Sequence, residues 1–520
     1  MAGAAWLVLS PPGANDLVGG DEGYYGTMAR NVLASPSQAV SPSLSPLGPP
    51  GDKPPLYPLM LAPFVHAWGP VPAAARALSA PSAVIVAGGV GALVGSVAGP
   101  ATGLFASALL ATLPWFADGS RAAAAELPLT ALATLALVLL AAAPRSRPRA
   151  AAAGALIGLA FLCKLWLVAP AALAACALVA RRGPGAGATL ALLVATALGT
   201  ASLHLAAVAA FQPRAFEHWR YIYLGRSLAE RMGGEGYAEY WRQPAGAYWA
   251  MVTRAFGLVL PLVAAGVENA WRRRAEPVPR ALLVWACGLL LLSAFRVKAG
   301  AYAYTVVPAW AGLAALGCDA IARGVRPSAW PIAAGALLTS PVAATWGGQG
   351  LPVAAWAAVW LTGAGLVALT RVPRIPSGRL VATWAALAVL VGAGRSAVRL
   401  SERYHTPGYE RVAAAIAPRL ADVPPDVPCF VAPEAPAFDY HLFRTGRYWG
   451  TPITPWTPER FRELERDARL RVFVVDPTRT FYGGWPDSVA LSWLERETRE
   501  ITAAIPAGRK GERPLRVFVR

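Results

Sequence analysis

Two adjacent carboxylates, Asp21 and Glu22, open the stretch Gly20-Asp21-Glu22-Gly23-Tyr24-Tyr25-Gly26-Thr27-Met28-Ala29-Arg30 in a chain that is otherwise mostly apolar. Carboxylates beside a lipid-embedded region are costly unless they are solvated, paired or used. Their chemistry would be that of a carboxylate base. The structural reading is that Asp21 caps a short interfacial helix while Glu22 favours its positive end. Cations supply the second half of the pattern. Only four of the 47 basic residues are lysine: Lys53, Lys164, Lys298 and Lys510. Lys53 precedes a Pro-Pro pair that fixes the local backbone, and Lys164 interrupts two apolar runs with almost no loop. Lys298 precedes Tyr302 and Tyr304, and Arg121 and Glu126 flank the start of another apolar run. The segment 212–245 adds His218, Trp219, Arg220, Tyr223, Arg226 and Arg231. A single lysine at a helix end commonly snorkels to the headgroups. Several cations on one face beside a carboxylate pair suit an anionic lipid phosphate whose leaving group must be neutralised.

The elements that must carry these residues are membrane helices. Of the 520 residues 56% are hydrophobic and only 15% charged. Apolar runs such as 127–143 and 188–211 approach or exceed the roughly 20 residues that cross a ~30 Å hydrocarbon core. The reading is a polytopic α-helical membrane protein with about 12 to 13 transmembrane helices. Spans fall near 71–95, 101–117, 122–143, 149–163, 165–180, 186–211, 246–267, 280–295, 302–322, 328–346, 351–369 and 379–394. Residues 56–68, interrupted by Pro58 and Pro63, read as an interfacial helix. The start, 1–9, reads as a half-spanning helix or as a start set too far downstream.

Orientation follows from the arginines. With Arg145, Arg147 and Arg149 cytoplasmic, Arg181, Arg182, Arg272–Arg274, Arg323, Arg326, Arg371, Arg374 and Arg379 fall on the same side, as the positive-inside rule requires. Asp21, Lys53, Arg121, Lys164, Lys298, the segment 212–245 and the C-terminal tail fall on the other. The net charge of +18 is therefore largely an orientation signal. With no nucleic-acid motif present, that partner is excluded.

The chain divides into a membrane domain, 1–396, and a C-terminal soluble α/β domain, 397–520, on the outer face. The membrane domain has a first outer loop, 11–70, and a long outer loop, 212–246. Within the soluble domain 429–432, 470–475 and 515–519 read as strands, and 409–420, 461–468 and 491–501 as helices. It has no nucleophile elbow, phosphate loop or metal signature. The five cysteines have no metal spacing, and only Cys429 lies in the tail.

Taken together, these motifs resemble the GT-C-fold glycosyltransferases that use polyprenyl-phosphate sugars. The nearest branch is that of the protein mannosyltransferases and lipid A aminoarabinose transferases, glycosyltransferase family 39-like. The Asp-Glu pair followed by Tyr25 and Ala29-Arg30 is similar to the family's first-loop motif. Lys53-Pro54-Pro55-Leu56 with Gly69 and Arg76 resembles its second. Gly158 through Lys164 is similar to its lysine-bearing turn, and Lys298 with Tyr302 and Pro308 to the one after it. Leu224-Gly225-Arg226, Tyr248 and Pro261 resemble the long outer loop and the following span. The resemblance covers about residues 16–325. Glu126 stands where relatives often carry Asp, and the Lys298 motif lacks the usual proline before its tyrosine.

The resemblance implies inverting transfer of a hexose or pentose from a polyprenyl phosphate to a hydroxyl of a lipid, protein or glycan. Asp21 is then the expected base, with Glu22 beside it in the catalytic pair or orienting the loop. Lys53, Lys164, Lys298 and Arg226 are expected on the donor phosphate. Tyr25, Tyr57, Arg121, Glu126, His218, Trp219 and Tyr302 are expected to line the substrate. No cofactor is expected; a divalent metal is compatible with the arrangement but not required by it. The expected location is a bacterial-type inner or plasma membrane. Two other classes fit the same charges: a transporter or flippase of lipid-linked sugars, and a non-catalytic relative that binds polyprenyl phosphate.

Overall fold

The computed structural model describes residues 21–44, 53–180, 185–226, 246–295, 300–338, 353–369, 377–403, 408–432, 435–449, 457–476, 488–506 and 515–520. Asp21 starts a helix, α1 (Asp21–Ala34), rather than a loop. Two acidic residues in the first turn favour its positive end, and Tyr25, Met28, Ala29 and Val32 form a buried stripe. That stripe meets α2 (Leu56–Trp68), which buries Tyr57, Leu61 and Val65 against it. The interfacial helix read from the sequence at 56–68 is this element.

The membrane part follows as α3 (Ser79–Ala98), α4 (Pro100–Thr112), α5 (Glu126–Ala142), α6 (Arg147–Lys164), α7 (Ala169–Val179) and α8 (Ala186–Phe211). Then come α9 (Leu260–Arg272), α10 (Pro277–Ala294), α11 (Val307–Ala322), α12 (Ala329–Leu338), α13 (Val353–Leu369) and α14 (Ser377–Arg403). Among the described residues five apolar segments are 18 or more residues long: Pro72–Ala98, Arg147–Val179, Ala186–Phe211, Pro277–Ala294 and Gly378–Val398. Shorter apolar helices, α4, α5 and α11, pack among them. A continuous helix over Arg147–Val179 would rise about 50 Å, well beyond one crossing. The segment instead turns back at Lys164–Leu165. Arg280, near the start of α10, donates to Ala177 O, while Pro170 lies beside Gly288, further along the same helix. Lys164 is thus at the apex of a hairpin, on the side of Asp21. Leu165 takes φ 55° there, a conformation that a β-carbon disfavours.

The soluble domain holds a five-stranded sheet of β1 (Phe430–Ala432), β2 (Arg447–Tyr448), β3 (Val472–Val475), β4 (Arg499–Glu500) and β5 (Arg516–Val519), in the order β2-β1-β3-β5-β4. β1 runs parallel to β2 and β3; β5 is antiparallel to β3 and β4. Between β1 and β2 lies a helix that the sequence reading lacks, α16 (Ala435–Leu442), following α15 (Tyr409–Ile416). One apolar core runs from Tyr25, Ala29, Tyr57 and Leu61 through Tyr409, Phe438 and Tyr440 to Phe430 and Val472. The first helix is therefore packed as much with the soluble domain as with the membrane bundle.

Candidate active site

At the first turn of α1 the two carboxylates part company, because successive side chains on a helix project about 100° apart. Glu22 turns inward. Arg76 donates to it through Nε at 2.9 Å and Nη2 at 2.7 Å, and the backbone N–H of Ala123 donates at 2.8 Å. Both side chains are almost fully buried. This planar two-point pairing is what a guanidinium does best. It ties α1 to the segment before α3 and to the turn before α5. Glu22 is thus a tie rod, with its lone pairs committed.

Asp21 faces the rim and is 46% exposed. Lys164 Nζ lies 3.0 Å from its Oδ2, and Lys53 Nζ 3.9 Å from its Oδ1. Lys164 is 8% exposed and is shared with Glu126, 2.7 Å away and 1% exposed. Lys53, on the outer flank, is 19% exposed and lies over the Tyr24 ring at 5.5 Å. Lys164 approaches the rings of Tyr25 at 5.6 Å and Tyr302 at 5.7 Å. Such ring faces favour a cation, by about 0.5–2 kcal/mol each. Desolvation pushes the Asp21 carboxyl up, but Lys164 and Lys53 outweigh it and hold the group well below the usual carboxylate range. Asp21 is therefore ionised at any physiological pH. Among the described residues the cluster sets two lysines, Lys53 and Lys164, against two carboxylates, Asp21 and Glu126.

Of the residues expected at the site, the fold brings together Asp21, Lys53, Lys164, Glu126, Tyr25 and Tyr302 from five separate elements. Tyr57 sits edge-on to Tyr25 at 4.7 Å, enclosed beneath the rim. Arg121 is on the turn two residues before Ala123, half-buried. Trp219 is not at the carboxylates. It is fully buried, donates to Ser41 Oγ at 2.9 Å, and packs with His204, Tyr223 and Leu165. His218 is its half-buried neighbour. Lys298 and the Arg226 side chain lie outside the described residues.

Sequence reasoning missed His204, which joins the 40–41 turn to Tyr223 through Val40 O and the Tyr223 hydroxyl. A lone histidine inside the 26-residue apolar helix α8 was the available signal. Trp166 Nε1 donates to Tyr223 O at 3.0 Å. This aromatic cluster thus holds the turn after Lys164 through Leu165 and Trp166. Arg76 was legible only as part of a motif, without its partner. Arg76→Met is expected to destabilise the protein by about 3–5 kcal/mol, because Glu22 would stay buried without a counter-charge. Thermal unfolding in detergent reads this; an unchanged midpoint would refute the tie.

The family profile of the dolichyl-phosphate-mannose-protein mannosyltransferases matches residues 52–209. ArnT from Cupriavidus metallidurans bound to undecaprenyl phosphate superposes with a TM-score of 0.67 at 18% identity, covering 99% of this chain and 96% of that one. Its apo state gives 0.65 at 19%, covering 100% and 96%. The apo oligosaccharyltransferase of Archaeoglobus fulgidus gives 0.54 at 14%, covering 91% and 68%. No curated protein sequence matches the chain. The fold is that of the GT-C membrane glycosyltransferases. Within that fold the chain is similar over its whole length to ArnT, and over residues 52–209 to the protein mannosyltransferase family.

Proposed function

We propose that the protein transfers a sugar from a polyprenyl phosphate to a hydroxyl acceptor at the outer face of the membrane, with inversion and with Asp21 as general base. The observation that carries this is the asymmetry of the pair. Glu22 is saturated by Arg76 and Ala123, whereas Asp21 is half exposed between two lysines. An acceptor hydroxyl hydrogen-bonded to Asp21 would lose its proton as its oxygen attacks the anomeric carbon. The bond from that carbon to the phosphate oxygen breaks, and the electron pair leaves with the lipid phosphate. Lys53 is the more exposed of the two lysines and holds the phosphate; Lys164, shared with Glu126, sets the charge of Asp21. Lys298 and Arg226 belong to the phosphate group on sequence grounds. Undecaprenyl phosphate in the ArnT structure supports a polyprenyl donor. The soluble domain then lies outside the cytoplasm of a bacterial-type membrane, and the reaction needs no divalent metal.

A phosphate drawn to Lys53 weakens that lysine's hold on Asp21 and raises its basicity. The acid limb of kcat should therefore lie at higher pH than that of kcat/KM, which reports the free enzyme. Lys53→Gln should raise the donor KM by about 10-fold or more and lower kcat by about 10²–10³. The assay is purified protein with labelled polyprenyl-phosphate sugars and a lipid or peptide acceptor, with loss checked in EDTA. Donor movement into proteoliposomes without transfer would instead make the protein a transporter.

A further inference from the structure

One large interface plays no part in the chemistry just described: the face of α1 turned toward the soluble domain. It is built for close approach. A β-carbon on Gly23 would lie 2.4 Å from the backbone nitrogen of Ala437, and one on Gly26 would lie 2.8 Å from the Tyr440 ring. Two glycines in one helix cost about 1 kcal/mol each relative to alanine, so close seating here is obtained against local propensity. Polar contacts then fix the seat. Thr27 Oγ1 donates to Pro436 O at 3.1 Å, and the Arg30 guanidinium, nearly buried, donates to Asp439 O and stacks 4.9 Å from Phe443. Tyr440 reaches past α1 to donate to Val71 O at 2.9 Å, and His441 Nδ1 lies 3.1 Å from Pro70 O. α16 therefore grips both α1 and the segment that carries Arg76, the partner of Glu22. Asp21 begins the helix so held, two residues before Gly23.

We propose that the soluble domain is part of the catalytic apparatus: α16 sets the depth and rotation of α1, and hence the place of Asp21 against Lys164 and Lys53, with Gly26 and Tyr440 as positioning residues. The proposal rests on the reading of Asp21 as base. A displacement of about 1 Å at a reacting group commonly costs as much as 10²-fold in rate. Among the described residues the groups facing Asp21 are Lys53, Lys164, Tyr25 and, through Lys164, Glu126. Moving α1 away from the lysines would relax the depressed carboxyl toward its ordinary range.

In the full-length enzyme, Gly26→Ala is expected to lower kcat by about 10–100-fold, leave the donor KM within about twofold, and move the acid limb of kcat to higher pH. Adding Tyr440→Leu makes room for the new methyl and should restore kcat to within about threefold of the Tyr440→Leu single variant. Tyr440→Phe, which keeps the ring, should not rescue. A folded Gly26→Ala enzyme with unchanged kcat, or a loss that Tyr440→Leu leaves in place, overturns the proposal. A cryo-EM structure of Gly26→Ala reads the same claim without turnover: the 3.0 Å contact between Asp21 and Lys164 should open. If that contact persists, the proposal fails whatever the assay gives. If the wild type never transfers sugar, the functional reading fails, and this distance alone decides the positioning claim.

Discussion

Asp21→Asn is expected to reduce kcat by about 10²–10⁴, the range that a positioned base contributes, while leaving the fold intact. The amide is nearly isosteric with the carboxylate and can still accept from Lys164, so the side chain keeps its place. What it loses is the ability to take the acceptor's proton. Removing a negative charge from between Lys53 and Lys164 also leaves more positive potential for an anionic donor. The donor KM should therefore stay level or fall. Loss of kcat without loss of donor affinity is the signature of an interaction made only in the transition state. Glu22→Gln should behave in the opposite sense. It weakens a buried ion pair, so thermal stability falls, and turnover falls only as far as the seat of α1 loosens. The two variants separate the roles of neighbouring residues in one assay and one melting curve. Near-normal turnover of Asp21→Asn with purified donor would remove Asp21 from the chemistry.

The parts of this arrangement that were legible in the sequence are those set by hydropathy and by rare residue types. Runs of apolar residues mark the membrane bundle. Of the three lysines that the sequence reading assigns to one face, two lie within 3.9 Å of Asp21, and Lys298 falls outside the described residues. Hydropathy could not divide labour between Asp21 and Glu22, because that depends on Arg76 and the Ala123 amide arriving from other segments. Nor could it find α16. Its sequence, APAFDYHL, is short and carries a proline near its start, so neither periodicity nor length marks it. The helix is defined by what it packs on. Glycine lowers helix propensity, yet Gly23 is where α1 meets the backbone of α16 and Gly26 where it meets the Tyr440 ring. Trp219, grouped by sequence with the substrate face, is instead sequestered behind the Lys164 turn.

Lys164 carries the largest expected effect on stability and activity together. It bridges a buried carboxylate, Glu126, and an accessible one, Asp21. Lys164→Met should destabilise the protein by about 3–5 kcal/mol, the cost of leaving one member of a buried pair uncompensated. Nearly all of that cost should come from Glu126, since Asp21 at 46% exposure can be re-solvated. Adding Glu126→Gln to Lys164→Met should therefore recover most of the melting temperature. Turnover should not recover with it: in both variants Asp21 has lost the neighbour that orients it, and kcat should remain down by about 10²–10³. Glu126→Gln alone leaves Lys164 wholly to Asp21. The carboxylate is then a weaker base, so kcat falls by about 10-fold while the fold holds. The set distinguishes a structural lysine from a chemical one, because only the chemical role separates stability from rate in the double variant. If that double variant turned over like the wild type, Lys164 would be a strut for Glu126, and the charge on Asp21 would have to be set by Lys53.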